Sequence, residues 1–484
     1  MKRLAFLLSV LSLLFFIGCK DDNADNPEFA PDEMARIFDR WPPFQAYSAG
    51  DTIRFTPTIS PTEGATYRWT WTKDGVEEVI STDKNLFFIV PNVSGEATLK
   101  FETMRGGGKP NSREFSILMM GPFVPKYPTQ NKHKLVGFLT KDGWIADVNW
   151  SAITHLVISS AEVRDGALYT GALDSMDIPT LVKYAHTYGV YVSLQVSGKI
   201  DYLNTANTYG TWELYTPAVN DPGGLAEKID EAMKKYGVDG VDVFMDKNHD
   251  FAYYDDPAAV RTFYETLGNK IKSEPHEIDG NVYDYLLTMT VLSGWSKFSS
   301  LGYGNRGAQV YNLPQYDWLH LMAFLDEDLV NVPRSHAGVS YVLTQIREYT
   351  TELNCGPVDP SRLVVVVPSV GIRYFGIPKD YNWSNLFEYT EYIRYRDIFQ
   401  RYPAHTGSIP MNNKIVTIDN GGDRNKEVDI LNYSGLNEMR SYVEDAIVLY
   451  GCAGAGLWSL ESDVKKDPSI SLLVKLKEAL DQFE

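Results

Sequence analysis

The stretch "YGVDGVDVFMDKN", residues 236–248, decides how most of this chain folds. It joins the end of an amphipathic helix, "GLAEKIDEAMKKYG", to a short apolar run whose residues alternate in character. In the helix Leu225, Ile229, Ala232 and Tyr236 recur on one face. In the strand a period of two puts Asp242, Phe244 and Asp246 on one side and Val241, Val243 and Met245 on the other. If the strand belongs to a closed barrel, the carboxylate side faces the interior and the valine side packs under helices.

The same rhythm repeats on both sides of that stretch. "HKLVGFL", "ITHLVISS", "YVSLQVSG", "YLLTMTVLS", "DWLHLMAFL", "RLVVVVPSVG" and "AGAGLWSL" are further apolar strand runs. Most are followed by helical patterns such as "AAVRTFYETLGNKIKS", "GVSYVLTQIREYTTEL" and "LNEMRSYVEDAIVLYG". Eight strands alternating with helices predict an α/β fold, a (β/α)8 TIM barrel over residues 132–484. In that fold active sites lie at the C-terminal ends of the strands.

Before the barrel the composition changes. Residues 27–120 carry short runs rich in Thr, Val, Ile and aromatics, among them "DTIRFTPTIS", "TYRWTWTKDG" and "NLFFIVPNV", separated by Gly, Pro and Asn. This predicts an all-β sandwich with Tyr67, Trp69 and Trp71 on one strand face, in the core or on a binding surface. "GPFVPKYPTQ" carries three prolines, so residues 121–131 read as a linker. At the N-terminus Lys2 and Arg3 precede the apolar run from Leu4 to Ile17, a secretory signal pattern too short for a transmembrane helix.

The chain has 484 residues, 44% of them hydrophobic and 13% aromatic, enough for two folded units with real cores. Its formal charge of -18 argues against nucleic acid or an anionic membrane surface as partner and suits neutral ligands. No His or Cys pair has metal-ligand spacing and no phosphate-cradling Gly loop is present, so neither metal nor cofactor is implied. Beyond Cys19, only Cys355 and Cys452 remain, too few for a disulfide framework.

Several motifs carry a family resemblance. "KLVGFLTKDGW", "SLQVSG", "GVDGVDVFMD", "LMAFLDED", "VVVVPSVGIRY" and "GAGLWSLESD" resemble, in order, the first, third, fourth, sixth, seventh and eighth strands of glycoside hydrolase family 18, the chitinases and endo-β-N-acetylglucosaminidases. "TYRWTWTKDG" and "GEATLKFETM" resemble strands of immunoglobulin-like PKD modules, which implies a spacer. "FIGC" resembles a lipoprotein signal that would make Cys19 the lipidated N-terminus, although Phe16 replaces the usual Leu; the alternative is a simple secretory signal. "DDNADNPE" after it is similar to the tethers of surface lipoproteins in Bacteroides-type bacteria, giving a signal at 1–19 and a tether at 20–26.

The resemblance also locates departures. The family's fourth-strand signature is Asp-Gly-x-Asp-x-Asp-x-Glu; here Asp239 and Asp242 match the first two acids, Phe244 stands for the third and Asp246 for the catalytic Glu. In the family the Glu protonates the leaving oxygen, and the substrate's own acetamide oxygen attacks the anomeric carbon. The third Asp orients that acetamide and offsets its charge, which a phenyl ring does not do. Asp246 is one methylene short and would withdraw the proton by roughly 1 Å, a displacement that costs about a hundredfold. Loss of charge stabilisation costs about another hundredfold, so simple multiplication gives a loss near ten thousandfold.

Other expected site residues follow from the same alignment of motifs. Trp458 corresponds to the pocket-floor Trp, with Gln195, Ser197, Met322, Phe324 and Asp326 lining the site, although Phe324 replaces the family's Tyr and a Leu intervenes before Asp326. Trp144, Trp295 and Tyr374 follow strands one, five and seven, either on the ligand or packing loops. His249, Asp250, Asp255 and Asp256 after the fourth strand, and Glu461 after the eighth, are carboxyl or imidazole groups that could replace the lost acid or simply be solvated. An insertion at about 375–432, "YFGIPKDYNWSNLFEYTEYIRYRDIF" and onward, resembles the family's cleft wall, with an outer helix pair as the alternative.

These features lead to one expectation and two rivals. The expectation is a lipid-anchored outer-membrane protein at the cell surface that binds oligosaccharide in a degenerate chitinase-like barrel without hydrolysis. The first rival is an active endo-acting glycosidase using Asp246 or a loop carboxylate. The second is a structural subunit of a glycan-uptake complex.

Overall fold

The computed structural model describes residues 34–39, 44–106, 108–121, 133–164, 167–174, 176–197, 220–245, 256–278, 280–292, 308–324, 337–351, 357–378, 390–402, 416–419, 427–465 and 467–483. The chain divides into two compact units, 1–123 and 124–484.

The first unit is built from strands throughout its described part. Its main sheet runs in the order Phe44–Ser48, Asn111–Met120, Gly95–Arg105, Ala65–Lys73, Val76–Ser81. Two-stranded pairs, Thr52–Phe55 with Leu86–Ile89 and Arg36–Ile37 with Ile59–Ser60, accompany it. Trp69 is fully buried against Phe101, with ring centroids 4.6 Å apart, and Leu99 and Ile117 complete that core. Tyr67 and Trp71, on the same strand face, pack at its edge. Alternation thus sent the three aromatics to one side, compatible with an immunoglobulin-like sandwich.

The second unit contains eight parallel strands that close on themselves. They are β1 (Lys134–Thr140), β2 (His155–Arg164), β3 (Tyr191–Ser197), β4 (Gly240–Phe244), β5 (Leu286–Leu292), β6 (Trp318–Met322), β7 (Leu363–Pro368) and β8 (Gly454–Trp458). Each pairs with its neighbours in sequence order and β1 pairs with both β2 and β8, which closes a (β/α)8 TIM barrel.

Local chemistry around β4 explains its placement. The helix Pro222–Tyr236 starts where the Asp221 side chain accepts from Gly224 N at 3.0 Å, and it ends at Gly237 with φ 66, a left-handed conformation glycine adopts without strain. Leu225, Ile229, Ala232 and Tyr236 are all buried, as the helical spacing predicts. Gly240 is required by close approach, because a Cβ there would lie 2.4 Å from the Leu286 carbonyl oxygen.

The insertion differs from the sequence reading. After β7 the chain turns and forms an antiparallel sheet in the order Thr390–Arg394, Val370–Pro378, Glu427–Asn432, Val416–Asp419, with one short helix, Tyr395–Arg401. Its described part is sheet with that short helix, and the sheet begins at Val370.

Candidate functional site

The interior of the barrel is organised around one carboxylate. Asp242, on the inward face of β4, is fully buried and lies opposite Gln195 on β3 and Thr288 on β5 in the strand ladders. Its Oδ1 accepts from Thr288 Oγ1 at 2.7 Å and pairs with His320 Nδ1 at 2.9 Å. Its Oδ2 accepts from Gln195 Nε2 at 2.7 Å and Thr290 Oγ1 at 2.6 Å. The Trp318 indole N–H donates to His320 Nε2 at 2.8 Å, so the ring proton sits on Nδ1 and points at Asp242. Gln195 is committed at both ends, since its Oε1 accepts from Ser159 Oγ at 2.6 Å.

This commitment has a chemical consequence. A carboxylate offers about four lone-pair sites, and all four of Asp242 are occupied by protein donors. Burial works to raise its pKa, but His320, Thr290 and Gln195 outweigh that and hold the carboxyl below its ordinary value. It is therefore a charged hub with nothing left to offer an incoming amide unless an internal bond breaks. Gln195, expected among the ligand contacts, supports this hub instead, because its only polar atoms are already used.

Above Asp242 the character of the face changes. Phe244 is 1% exposed and sits opposite Ser197 on β3, so the inward position after Asp242 is a buried ring. Met322 and Phe324 follow β6 inward and are also buried. The Phe324 ring lies 5.9 Å from that of Trp458 at the end of β8, at an angle of 33°. Trp458 in turn lies opposite Phe138 on β1 and Pro368 on β7. Phe244, Met322, Phe324 and Trp458 thus mark the upper interior as largely apolar.

Asp239 lies elsewhere. It precedes β4, five residues or about 16 Å of strand from Phe244, at the barrel floor. There it pairs with His186 Nε2 at 2.9 Å and His276 Nε2 at 2.8 Å and accepts from Val192 N at 2.7 Å. Burial again pushes upward, yet the two imidazoles win and keep its carboxyl below the ordinary value. This first motif position, which the resemblance makes mainly structural, is a clasp at the barrel floor. The two histidines lie 53 and 37 residues away in sequence, with no motif to announce them.

The remaining expected residues divide three ways. Asp246, His249, Asp250, Asp255, Trp295 and Asp326 lie outside the described residues, as do Cys19 and Cys355. Asp256 caps a helix, accepting from Ala259 N at 3.0 Å. Tyr374 follows β7 inside the inserted strand Val370–Pro378 and is fully buried. Trp144, after β1, is 52% exposed at the mouth. Glu461, after β8, is buried; its Oε1 accepts from Thr140 Oγ1 at 2.5 Å, and burial pushes its pKa up.

The sequence reading missed Thr288, Thr290 and His320. A signal existed: "LLTMTVL" and "WLHLM" carry polar residues two apart, or single, on strands otherwise apolar. Among the described residues no group of His, Cys, Asp and Glu is arranged to hold a metal ion.

Comparison with known proteins adds three findings. The family model described as glycosyl hydrolases family 18 matches residues 127–463. No curated protein matches the chain. Among solved structures, a Group IV chitinase from Ostrinia furnacalis in complex with allosamidin is 13% identical with a TM-score of 0.53, covering 72% of this chain and 99% of its own. The family 18 chitinase ChiB from the chitin utilization locus of Flavobacterium johnsoniae is 18% identical with a TM-score of 0.51, covering 73% and 96%. Human YKL-39, described as a pseudo-chitinase with retained chitooligosaccharide binding properties, is 13% identical with a TM-score of 0.51, covering 72% and 100%.

Proposed function

The chain belongs to glycosyl hydrolases family 18, and from that membership we propose that its barrel binds oligosaccharide at the C-terminal ends of the strands without cutting it. The fold cannot decide the matter, because it is shared with chitinases and with a pseudo-chitinase that keeps chitooligosaccharide binding. What carries the reading is Phe244, a buried ring at the inward position directly above an Asp242 whose four acceptor sites are already filled. Acetamide-assisted cleavage needs a group that accepts the acetamide N–H and offsets its growing charge, and here neither side chain is free to do so. Trp144, 52% exposed, supplies an aromatic ring for the apolar face of a pyranose, and Trp458 stands at the position of the motif's pocket-floor Trp. The "FIGC" and "DDNADNPE" stretches support placing this binding unit on a lipid anchor through Cys19, at the cell surface, for glycan capture beside an uptake complex.

The test is incubation of the purified chain with chitooligosaccharides and with high-mannose and complex N-glycans, products read by mass spectrometry, beside Asp246→Ala. The expected result is no product, together with calorimetric binding that Trp458→Ala removes. New reducing ends that disappear in Asp246→Ala would overturn the reading in favour of an endo-acting glycosidase. Neither binding nor cleavage would point to a structural subunit.

A further inference from the structure

At the floor of the barrel, opposite to the mouth, the start of β1, the segment before β2, the end of the helix Ile178–Thr187 and the last helix, Leu472–Asp481, enclose a recess of about 170 Å³. A water takes up about 30 Å³ of liquid, so the recess has room for roughly five or six waters, the scale of one small ring rather than a drug-sized ligand. Leu135 and Leu480 form an apolar wall. Trp150 and Tyr188 line it as well, their rings stacked at 6.3 Å and 28°. At the rim, Lys477 Nζ is 2.7 Å from both carboxylate oxygens of Asp481.

The rim gives the recess a chemical preference. Trp150, 6% exposed, lines its wall. The rim pair is electrically balanced, so it does not call for an ion; Lys477 keeps a third N–H to donate and Asp481 keeps lone pairs to accept. Aromatic rings beside a donor and an acceptor suit a neutral polyhydroxylated ring, with an apolar C–H face and hydroxyls around its edge.

We propose that this recess is a second ligand site, for a single neutral sugar ring, separate from the cleft at the mouth. A protein with both sites would hold a glycan chain or two glycan ends at opposite poles of one barrel, which raises avidity without new contacts at either.

The test follows the Trp150 indole resonance by NMR, assigned with Trp150→Phe, while the full chain is titrated with glucose, mannose and N-acetylglucosamine, and with glycerol as control. The expected result is a saturable shift with at least one sugar, weakened about tenfold by Lys477→Met and kept in Trp458→Ala, which disables only the mouth. Tyr188→Ala, a surface change, should weaken the same response. No saturable shift with any of the three sugars would overturn the proposal. So would an equal response to glycerol, or a response that Lys477→Met and Tyr188→Ala leave unchanged. Loss in Trp458→Ala alone would assign the signal to the mouth and likewise overturn a separate site.

Discussion

At its start β4 sets Asp239 against two imidazoles and a backbone N–H, and one turn of the pleat further in it gives Asp242 four donors. At its end the inward position is a buried phenyl ring, and Met322, Phe324 and Trp458 are buried in the barrel too. The start and middle of the strand retain two carboxylates of the family 18 motif, each fully bonded; at the next inward position the third is replaced by Phe244. The difference teaches that two acids of one motif can be kept for folding alone, since both are bonded for stability and neither needs a substrate to be satisfied. A motif match at those positions is then no evidence of catalysis.

That contrast can be broken most directly at the hub. Asp242→Ala leaves two threonines, a glutamine and an imidazole without their shared acceptor in a dry interior. The expected cost is about 4 kcal/mol or more in urea unfolding, with no change in glycan products. A cost below about 1 kcal/mol would mean that the barrel does not depend on the hub.

Phe244→Asp tests the third position. It places a second carboxyl above Asp242, whose donors are all taken, so the new group must either ionise without a partner or be buried neutral. A destabilisation of about 3 kcal/mol is expected, with no gain in hydrolysis from this change alone. Release of new reducing ends by the single variant would break the comparison, because it would show that one side chain makes the difference.

Acid sharpens it further. Asp239 and Asp242 both titrate below the ordinary 3.8 when folded, so the unfolded chain takes up their protons first as pH falls. Their stabilisation is complete well above 3.8 and is lost progressively as pH drops past it toward the folded values. Melting temperature followed from pH 6 to pH 3 (roughly the range that brackets a carboxylate) should fall at the acid end. Asp239→Asn should be less stable at pH 6 and show a shallower fall. An equally steep fall in that variant would assign the acid sensitivity to other carboxylates.

How far this was legible in the sequence follows from the kind of information each part needs. Strands such as "RLVVVVPSVG" and the helix before β4 were readable because burial imposes a period on neighbours in sequence. Phe244 and Asp246 were readable as departures because the motif fixes their positions. The inserted strand that carries Tyr374 was not legible, because an apolar run carries no mark of where a barrel strand stops and an antiparallel strand begins; the chain turns at Ser369. The clasp on Asp239 was not legible at all, since His186 and His276 reach it only through the closure of the barrel. Thr288 and Thr290 lie between these cases: two hydroxyls at i and i+2 on one inward face imply a buried acceptor, without naming it.

The smallest expected effect concerns Glu461, a described carboxyl near the mouth that burial leaves protonation-prone. Glu461 titrates above its ordinary 4.5 because burial disfavours its charge, while its bonds to Ser459 and Thr140 offset only part of that. With a raised folded value, the unfolded chain ionises first as pH rises past 4.5, and stability declines until the folded group ionises too. Glu461→Gln removes that penalty. Its amide oxygen can still accept from Thr140 Oγ1, and what it loses is the long 3.4 Å contact from Thr140 N. The variant should therefore be more stable by about 0.5–1 kcal/mol at pH 7 and equal to the parent by about pH 4. A loss of stability at pH 7 would mean instead that the ionised form is held by its surroundings. Glu461 would then be a charged group at the mouth, and the upper half of the barrel would not be as empty of usable acid as β4 alone makes it.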